Sequence, residues 1–390
     1  MTSTHLNQRT EQTDVVVIGG GIIGLAVAYA LAQRGRAVTV VEAARIGERA
    51  AAGVAAGMLA PSSEADLSDP RLTTLALASH AAYPAWVADL EQASGVEVGY
   101  DATGTLLVAL HRDHLALIEH LHAFQVERGL AAERLTGAQA RDEEPYLAPG
   151  IAGALRMPDA QVDPRRLLRA LPLALERAGG RIVEDTRVTA VTRDGDVYEV
   201  TTEHDGMAST LRATQVVLAA GAWSRQIALV GLEAATLPMR PVKGQILRLR
   251  GERLLRHVIR TPDVYLVPRA DGEIVVGASM EEQGFDARPT AGAVHDLLRE
   301  ARRAVPGIAE LELAECGVGF RPALRDHLPA IGNIDGAGLF VASGHFRDGV
   351  VLAPITARLL ADLVCDGRLD ALLEPFAPGR FAPASIEVTR

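Results

Sequence analysis

Three glycines, Gly19, Gly21 and Gly24, stand in G-x-G-x-x-G register directly after the apolar string Val-Val-Val-Ile at 15–18. Each spacing has a job. The first glycine permits a tight turn, the second lets backbone N–H groups approach a pyrophosphate, and the third lets a helix lie close on its strand. A helix opening there directs its positive end at the phosphates. Glu42 closes the next apolar run. A carboxylate at that place accepts from both ribose hydroxyls and repels a 2′-phosphate, which disfavours NADP. A glycine-rich turn without a ligand is the bland alternative. It does not explain the preceding strand, the following helix and the matched acid together.

The segment after this unit narrows the nucleotide. Ala55-Ala56-Gly57-Met58 follows at once, and small residues allow the close backbone approach that a flavin ring needs. A second buried strand runs into a glycine turn at 216–224, with Gly221 at its centre. No second G-x-G-x-x-G follows a strand, so no separate nicotinamide site is expected. Electrons then come from the substrate itself and leave to oxygen or another acceptor. FAD is therefore favoured over NAD.

The elements that must position these residues follow from periodicity. Residues 13–18 read as a buried parallel strand, 22–34 as a helix stopped by Gly35, and 37–41 as a second strand, giving one βαβ unit. The apolar run 15–32 raises a membrane span or a signal peptide. Four glycines interrupt it, and Glu11 and Asp14 rather than a basic cluster precede it, so a soluble reading is favoured. Residues 50–61 read as a closely packed loop. Helices are expected at 72–93, 114–128, 291–304 and 350–366, and another from the Asp163-Pro164 cap to Gly179-Gly180. Strands are expected at 104–110, 181–184, 187–192, 197–202, 215–219, 237–249, 264–267, 273–276, 311–320 and 339–342. The fold class is α/β: a discontinuous Rossmann-type FAD-binding domain (13–82, 151–232 and 321–370) with a substrate domain on a mostly antiparallel sheet (83–150 and 233–320).

Bulk composition agrees. The 390 residues are 48% hydrophobic, enough for two joined cores. A net charge of −10 argues against nucleic acid or an anionic membrane as partner, while leaving room for a local basic pocket. Cys316 and Cys365 form no CxxC and no disulfide scaffold, which suits a reducing cytoplasm.

The strings Gly344-His345-Phe346-Arg347-Asp348-Gly349-Val350-Val351-Leu352-Ala353-Pro354, Ala55-Ala56-Gly57-Met58-Leu59, Gly319-Phe320-Arg321-Pro322 and Pro241-Val242-Lys243-Gly244-Gln245 resemble motifs of the D-amino-acid oxidase and sarcosine oxidase superfamily. Within it the similarity is to the glycine oxidases of thiamine biosynthesis, over nearly the whole chain. The resemblance implies FAD as cofactor, a small amino acid or amine as substrate, oxygen as acceptor, and glyoxylate, ammonia and hydrogen peroxide as products, with the imine feeding thiazole formation. It also implies a homo-oligomer, often a tetramer.

Carried over residue by residue, Arg321 matches the arginine that pairs the substrate carboxylate, and Tyr265 a tyrosine that assists it. Met280 matches a pocket-lining position but reads equally as a gap-filler. Arg347 matches a position near flavin and substrate. Ile22, Ile23, Glu42, Ala43, Val188, Gly221 and His345, Phe346, Arg347, Asp348, Gly349, Val350 and Val351 match cofactor contacts, as do Ala56, Gly57 and Met58. Ala51 and Ala52 stand where relatives often carry hydroxyl residues, and Asp348 where asparagine is usual. A planar guanidinium fixes a carboxylate by two parallel hydrogen bonds, which gives Arg321 its physical warrant. The amine must be neutral to react, so activity should rise with pH. The amides opening the helix near Val350 face the place where negative charge gathers on the flavin.

Other residues read more plainly. Trp223 reads as packing and Cys316 as a buried inert thiol rather than a flavin tether. The spread of His111, His114, His120 and His122 fits a solvated helix face, so no metal is expected. Two other functions remain open: a D-amino-acid dehydrogenase passing electrons to a quinone or carrier protein, and a non-catalytic flavoprotein subunit. Peroxide formation under air separates the first, and an inert subunit has no use for paired arginines.

Overall fold

Two hydrophobic periodicities build two sheets. The computed structural model describes residues 11–65, 69–232 and 236–381. Continuous β-branched runs form the parallel heart of a nine-stranded sheet. There Met207–Leu218, Glu11–Ile18, Val38–Val41 and Arg181–Val183 lie side by side in parallel. Leu339–Ser343 pairs in parallel with the last residues of Met207–Leu218, while the first part of that strand turns antiparallel to Val197–His204. One long strand thus serves a nucleotide-binding half and an antiparallel meander, so the strand expected only at 215–219 begins eight residues earlier.

Among the described residues seven α-helices accompany the sheets: α1 (Ile22–Gln33), α2 (Pro70–Ser94), α3 (Arg112–Glu127), α4 (Gly137–Glu143), α5 (Pro164–Arg177), α6 (Ala291–Ala304) and α7 (Gly349–Asp366). α1 is apolar on nearly every side because α5 and α7 cover it. α7 carries Pro354, which removes the N–H that would bond the Val350 carbonyl. The Tyr83 hydroxyl of α2 donates to that carbonyl instead, at 2.9 Å, and the Ser79 hydroxyl donates to Val351 O at 2.6 Å. α2 is therefore the substitute hydrogen-bond partner for the opening turn of α7. Tyr83→Phe leaves a buried carbonyl unpaired and should destabilise the fold by about 1–3 kcal/mol. A thermal melt against the parent protein reads this directly.

Alternating runs form an eight-stranded sheet. Its order is Glu312–Ala323, Arg240–Arg250, Ile274–Gly277, Tyr265–Pro268, Val258–Arg260, Thr105–Ala109, Gly153–Met157 and Glu133–Thr136. Every neighbouring pair is antiparallel except Val258–Arg260 with Thr105–Ala109. Two segments sit elsewhere than expected. Gly153–Met157 pairs into this second sheet rather than joining the nucleotide half. Residues 83–94 cannot be divided from α2, whose Tyr83, Val87 and Leu90 are buried in the same core as α1 and α7. The short strands Glu133–Thr136, Val258–Arg260 and Ala330–Asn333 carry too few residues to declare a period, and sequence reading missed them.

The loop expected at 50–61 contains a short helical turn, Ala51–Gly53, and a strand, Met58–Leu59, paired with Ala160–Gln161. His114 is buried rather than solvated: its ring lies 3.4 Å from Asp263 and packs at a 45° tilt against His111. Cys316 is exposed, not buried. Among the described residues no cluster could hold a metal ion, and no helix is long and apolar enough to cross a membrane.

Candidate functional site

A cleft is lined by residues of both sheets. At its nucleotide end Gly19, Gly21, Ile22, Ile23, Glu42 and Ala43 form the wall. Gly24 lies behind them, where a Cβ would come 2.0 Å from the Gly19 carbonyl oxygen; α1 can approach its strand only because none is there. A Cβ on Gly21 would meet no atom within 4 Å. That glycine leaves its backbone open to the cleft, as a pyrophosphate cradle requires. Glu42 accepts from the Gly20 amide at 2.6 Å and the Ala44 amide at 3.2 Å. Burial raises its pKa, and the backbone N–H groups oppose that rise. The Gly20 bond ties the acid to the glycine turn, so ribose and phosphate recognition share one rigid unit.

Further along, Ala51, Ala52, Ala56, Gly57 and Met58 face Val188, Gly221, His345, Phe346, Arg347, Gly349 and Val350. Gly57 adopts φ +79°, and a Cβ there would strike the Val162 carbonyl at 2.0 Å. His345 is buried, its Nε2 lying 3.1 Å from the Thr356 hydroxyl. Desolvation pushes its pKa down to about 3. The folded imidazole therefore stays neutral while the unfolded one protonates below its ordinary 6.5. Its contribution is pH-independent above 6.5, and stability is lost as pH falls from 6.5 toward 3. His345→Gln should flatten the melting temperature across that window, read by thermal melts at a series of pH values.

The other end of the cleft holds Tyr265, Arg321, Glu64 and Phe320, with Arg347 joining from the loop before α7. Arg321 comes from the edge strand Glu312–Ala323 and donates through Nη1 to Ser279 O at 3.1 Å. Desolvation lowers its pKa, and the like charge of Arg347 adds to this. A guanidinium stays charged nonetheless, so it faces the cleft as a cation seeking an anion. Tyr265 is pushed up to about 12, chiefly by desolvation, which keeps its hydroxyl a neutral donor. Two glycines make room for the pair. A Cβ at Gly244 would stand 2.3 Å from Arg321 Nη1, and one at Gly277 would stand 2.4 Å from the Tyr265 hydroxyl. The cleft thus joins an open glycine turn to a desolvated guanidinium beside a tyrosine hydroxyl.

A family model described as FAD dependent oxidoreductase (DAO) matches residues 14–363. The chain belongs to the FAD-dependent oxidoreductase family. It is 35% identical over 361 residues to the glycine oxidase of Geobacillus kaustophilus, covering 91% of this chain and 93% of that protein. The crystal structure of glycine oxidase from Geobacillus kaustophilus superposes with a TM-score of 0.88 at 35% identity, covering 95% of this chain and 99% of that one. The chain is also 36% identical over 376 residues to the bifunctional protein ThiO/ThiG of Trichormus variabilis, covering 94% of this chain. It spans only 55% of that relative's length. This is an FAD-dependent oxidoreductase of the glycine oxidase type.

In this oxidoreductase the residues present fit FAD: an open glycine turn, an acid at the following strand end, and a wall of small residues beyond. Of the residues read from sequence, most meet in the cleft. Met280 does not; it is 65% exposed and lies outside the lining. Its neighbour Ser279, just past the strand Ile274–Gly277, accepts from the Gln245 amide and donates to Glu281, while Met280 itself faces out. Asp348 and Val351 also fall outside the lining: Asp348 takes the N-cap position of α7, and Val351 is buried beneath the first turn. Trp223, read as packing, lines the cleft and stacks on Phe285 at 5.4 Å.

Two contributors were missed. Arg269 follows the strand bearing Tyr265, donates to Gln161 Oε1 at 2.8 Å, and donates to the Ala56 carbonyl. It ties the second sheet to the Ala55–Met58 segment. Only its place in Val264-Tyr265-Leu266-Val267-Pro268-Arg269 could have flagged it. Glu64 follows the small-residue segment and carries no local signal of function at all.

Proposed function

We propose that this protein oxidatively deaminates glycine, and with it sarcosine or small D-amino acids. Glycine, oxygen and water give glyoxylate, ammonia and hydrogen peroxide by way of the imine. The observation that carries this reading is the pairing of Arg321 with Tyr265 in the same cleft as the glycine turn and Glu42. The name of the Geobacillus kaustophilus relative supports it.

The chain's own residues then have distinct tasks. Gly19, Gly21 and the α1 N-terminus hold the pyrophosphate, and Glu42 holds the ribose. Residues of the 55–58 and 345–350 segments, which line the cleft, would hold the ring. When bound, FAD supplies the two-electron acceptor for the substrate's carbon–nitrogen unit. Arg321 grips the carboxylate in its planar fork, and Tyr265 adds a neutral donor. Arg347 and the amides opening α7 place positive potential along the same wall. Holding the reacting carbon in one place supplies much of the rate. The opening of Arg321 toward a cleft ringed by Phe320, Tyr265 and Ile246 favours small substrates. We further propose a cytoplasmic homo-oligomer whose imine supplies thiazole formation.

Aerobic assays with glycine, sarcosine, D-alanine and D-proline test the reading. Peroxide should form in step with glyoxylate from glycine. Dye reduction without peroxide assigns the chain instead to a dehydrogenase, and no turnover with any of the four rejects the amine-oxidising function.

A further inference from the structure

Among the described residues Glu64 is the one carboxylate on the substrate side of the cleft, lining it with Tyr265, Arg321 and Arg347. Its negative charge reaches both recognition groups, supporting the charged state of Arg321 and raising the Tyr265 hydroxyl further. The turn that presents it is fixed from three directions. Asp159, fully buried, accepts from the Ser62 and Ser63 amides, each at 3.1 Å. Gln125 of α3, also fully buried, donates to Ser62 O at 2.9 Å. Arg260 donates to Ser63 O and stands 3.4 Å from Glu64 Oε1. The Glu64 amide closes the turn on Ala60 O at 2.9 Å. A buried carboxylate and a buried amide are expensive to desolvate. Here both serve to fix one short turn, so the scaffold rather than solvent sets where the Glu64 side chain stands.

We propose that Glu64 accepts the substrate's amino group, so that Arg321 and Glu64 together select a zwitterion. This rests on the carboxylate grip described above and names its missing half. The cleft presents a cation and an anion, and the ligand that satisfies both carries one carboxylate and one basic nitrogen on a short skeleton. A carboxylate without nitrogen still meets Arg321 but makes no contact with Glu64, so it binds more weakly than the zwitterion. A second carboxylate on the substrate is repelled by Glu64. The ammonium form of the substrate docks on Glu64, and its proton passes to solvent water before the neutral amine is oxidised. The groups facing Glu64 are Arg260, Tyr265 and Arg321, with Arg347 lining the same end of the cleft and Asp159 and His80 behind its turn. A negative neighbour raises the pKa of a bound amine, so Glu64 places the rising limb of kcat at higher pH than it would otherwise have.

The test is Glu64→Gln in the holoenzyme, with FAD content and melting temperature measured alongside. The KM for glycine should rise about 10- to 100-fold, with kcat changed far less. The Ki of acetate, which carries the carboxylate alone, should stay constant or fall. The rising limb of kcat should move to lower pH. Glu64→Asp, which keeps the charge on a shorter arm, should recover part of the glycine KM. Arg321→Lys, by contrast, should weaken glycine and acetate together. An unchanged glycine KM in Glu64→Gln, or a parallel rise in glycine KM and acetate Ki with FAD retained, overturns the role of Glu64. Acetate that fails to compete even in the wild type removes the Arg321 grip itself, and the zwitterion pair falls with it.

Discussion

Arg321→Ala should lower kcat/KM for glycine by about two to three orders of magnitude while FAD remains bound. Arg321 lines the cleft, with Nη1 donating to Ser279 O at 3.1 Å and to Lys243 O at 3.5 Å. Truncating one partner of a buried, hydrogen-bonded charge pair costs about 2–5 kcal/mol. Here the loss falls on substrate binding, so most of it appears in KM. Lysine does not restore the site, because an ammonium is a point charge where two parallel hydrogen bonds are needed. FAD retention follows from position: the edge strand Glu312–Ala323 takes no part in the glycine turn. Steady-state kinetics with FAD quantified by absorbance check the outcome.

Gly24→Val should give a protein that purifies without FAD, or does not accumulate folded. The first added carbon would meet the Gly19 carbonyl oxygen at 2.0 Å and the Ala219 side chain at 3.3 Å. Neither can move cheaply. The first is backbone in the turn itself, and the second belongs to the turn after Met207–Leu218. Overpacking alone costs about 1–3 kcal/mol. Here the strain also pushes α1 off its strand and displaces the amides of the cradle. The FAD-to-protein ratio after purification, with circular dichroism to judge folding, reads both consequences. A Gly21→Ala companion should leave the fold intact and weaken FAD binding alone, because its Cβ enters open cleft.

These two substitutions mark what sequence could and could not reveal. The nucleotide half was legible because its requirements are local. Glycine spacing, the apolar run before it and Glu42 after it all lie within one βαβ unit, and the turn geometry is as that spacing demands. The Arg321 site was found from short motifs, but what makes room for it was not. Gly244 and Gly277 come from two other strands, and their meaning appears only when a Cβ is tested against the Arg321 and Tyr265 side chains. Met280 fails for the complementary reason. The segment after Ile274–Gly277 turns Ser279 onto the Gln245 amide and leaves Met280 exposed, and motif matching does not see which neighbour the chain turns in. Glu64 was invisible because its turn is held by Asp159, Gln125 and Arg260, each distant in sequence. Gly153–Met157 was misplaced because a five-residue strand acquires its sheet from its partners rather than from its own pattern.

The central claim is that one cleft holds FAD and, beside it, a guanidinium that grips a small acid. An experimental structure of the FAD-loaded protein soaked with acetate tests it most directly. The two acetate oxygens should lie within hydrogen-bond distance of the Arg321 guanidinium, with the Tyr265 hydroxyl donating to one of them. Acetate bound elsewhere, with Arg321 still turned onto the Ser279 carbonyl alone, would contradict it.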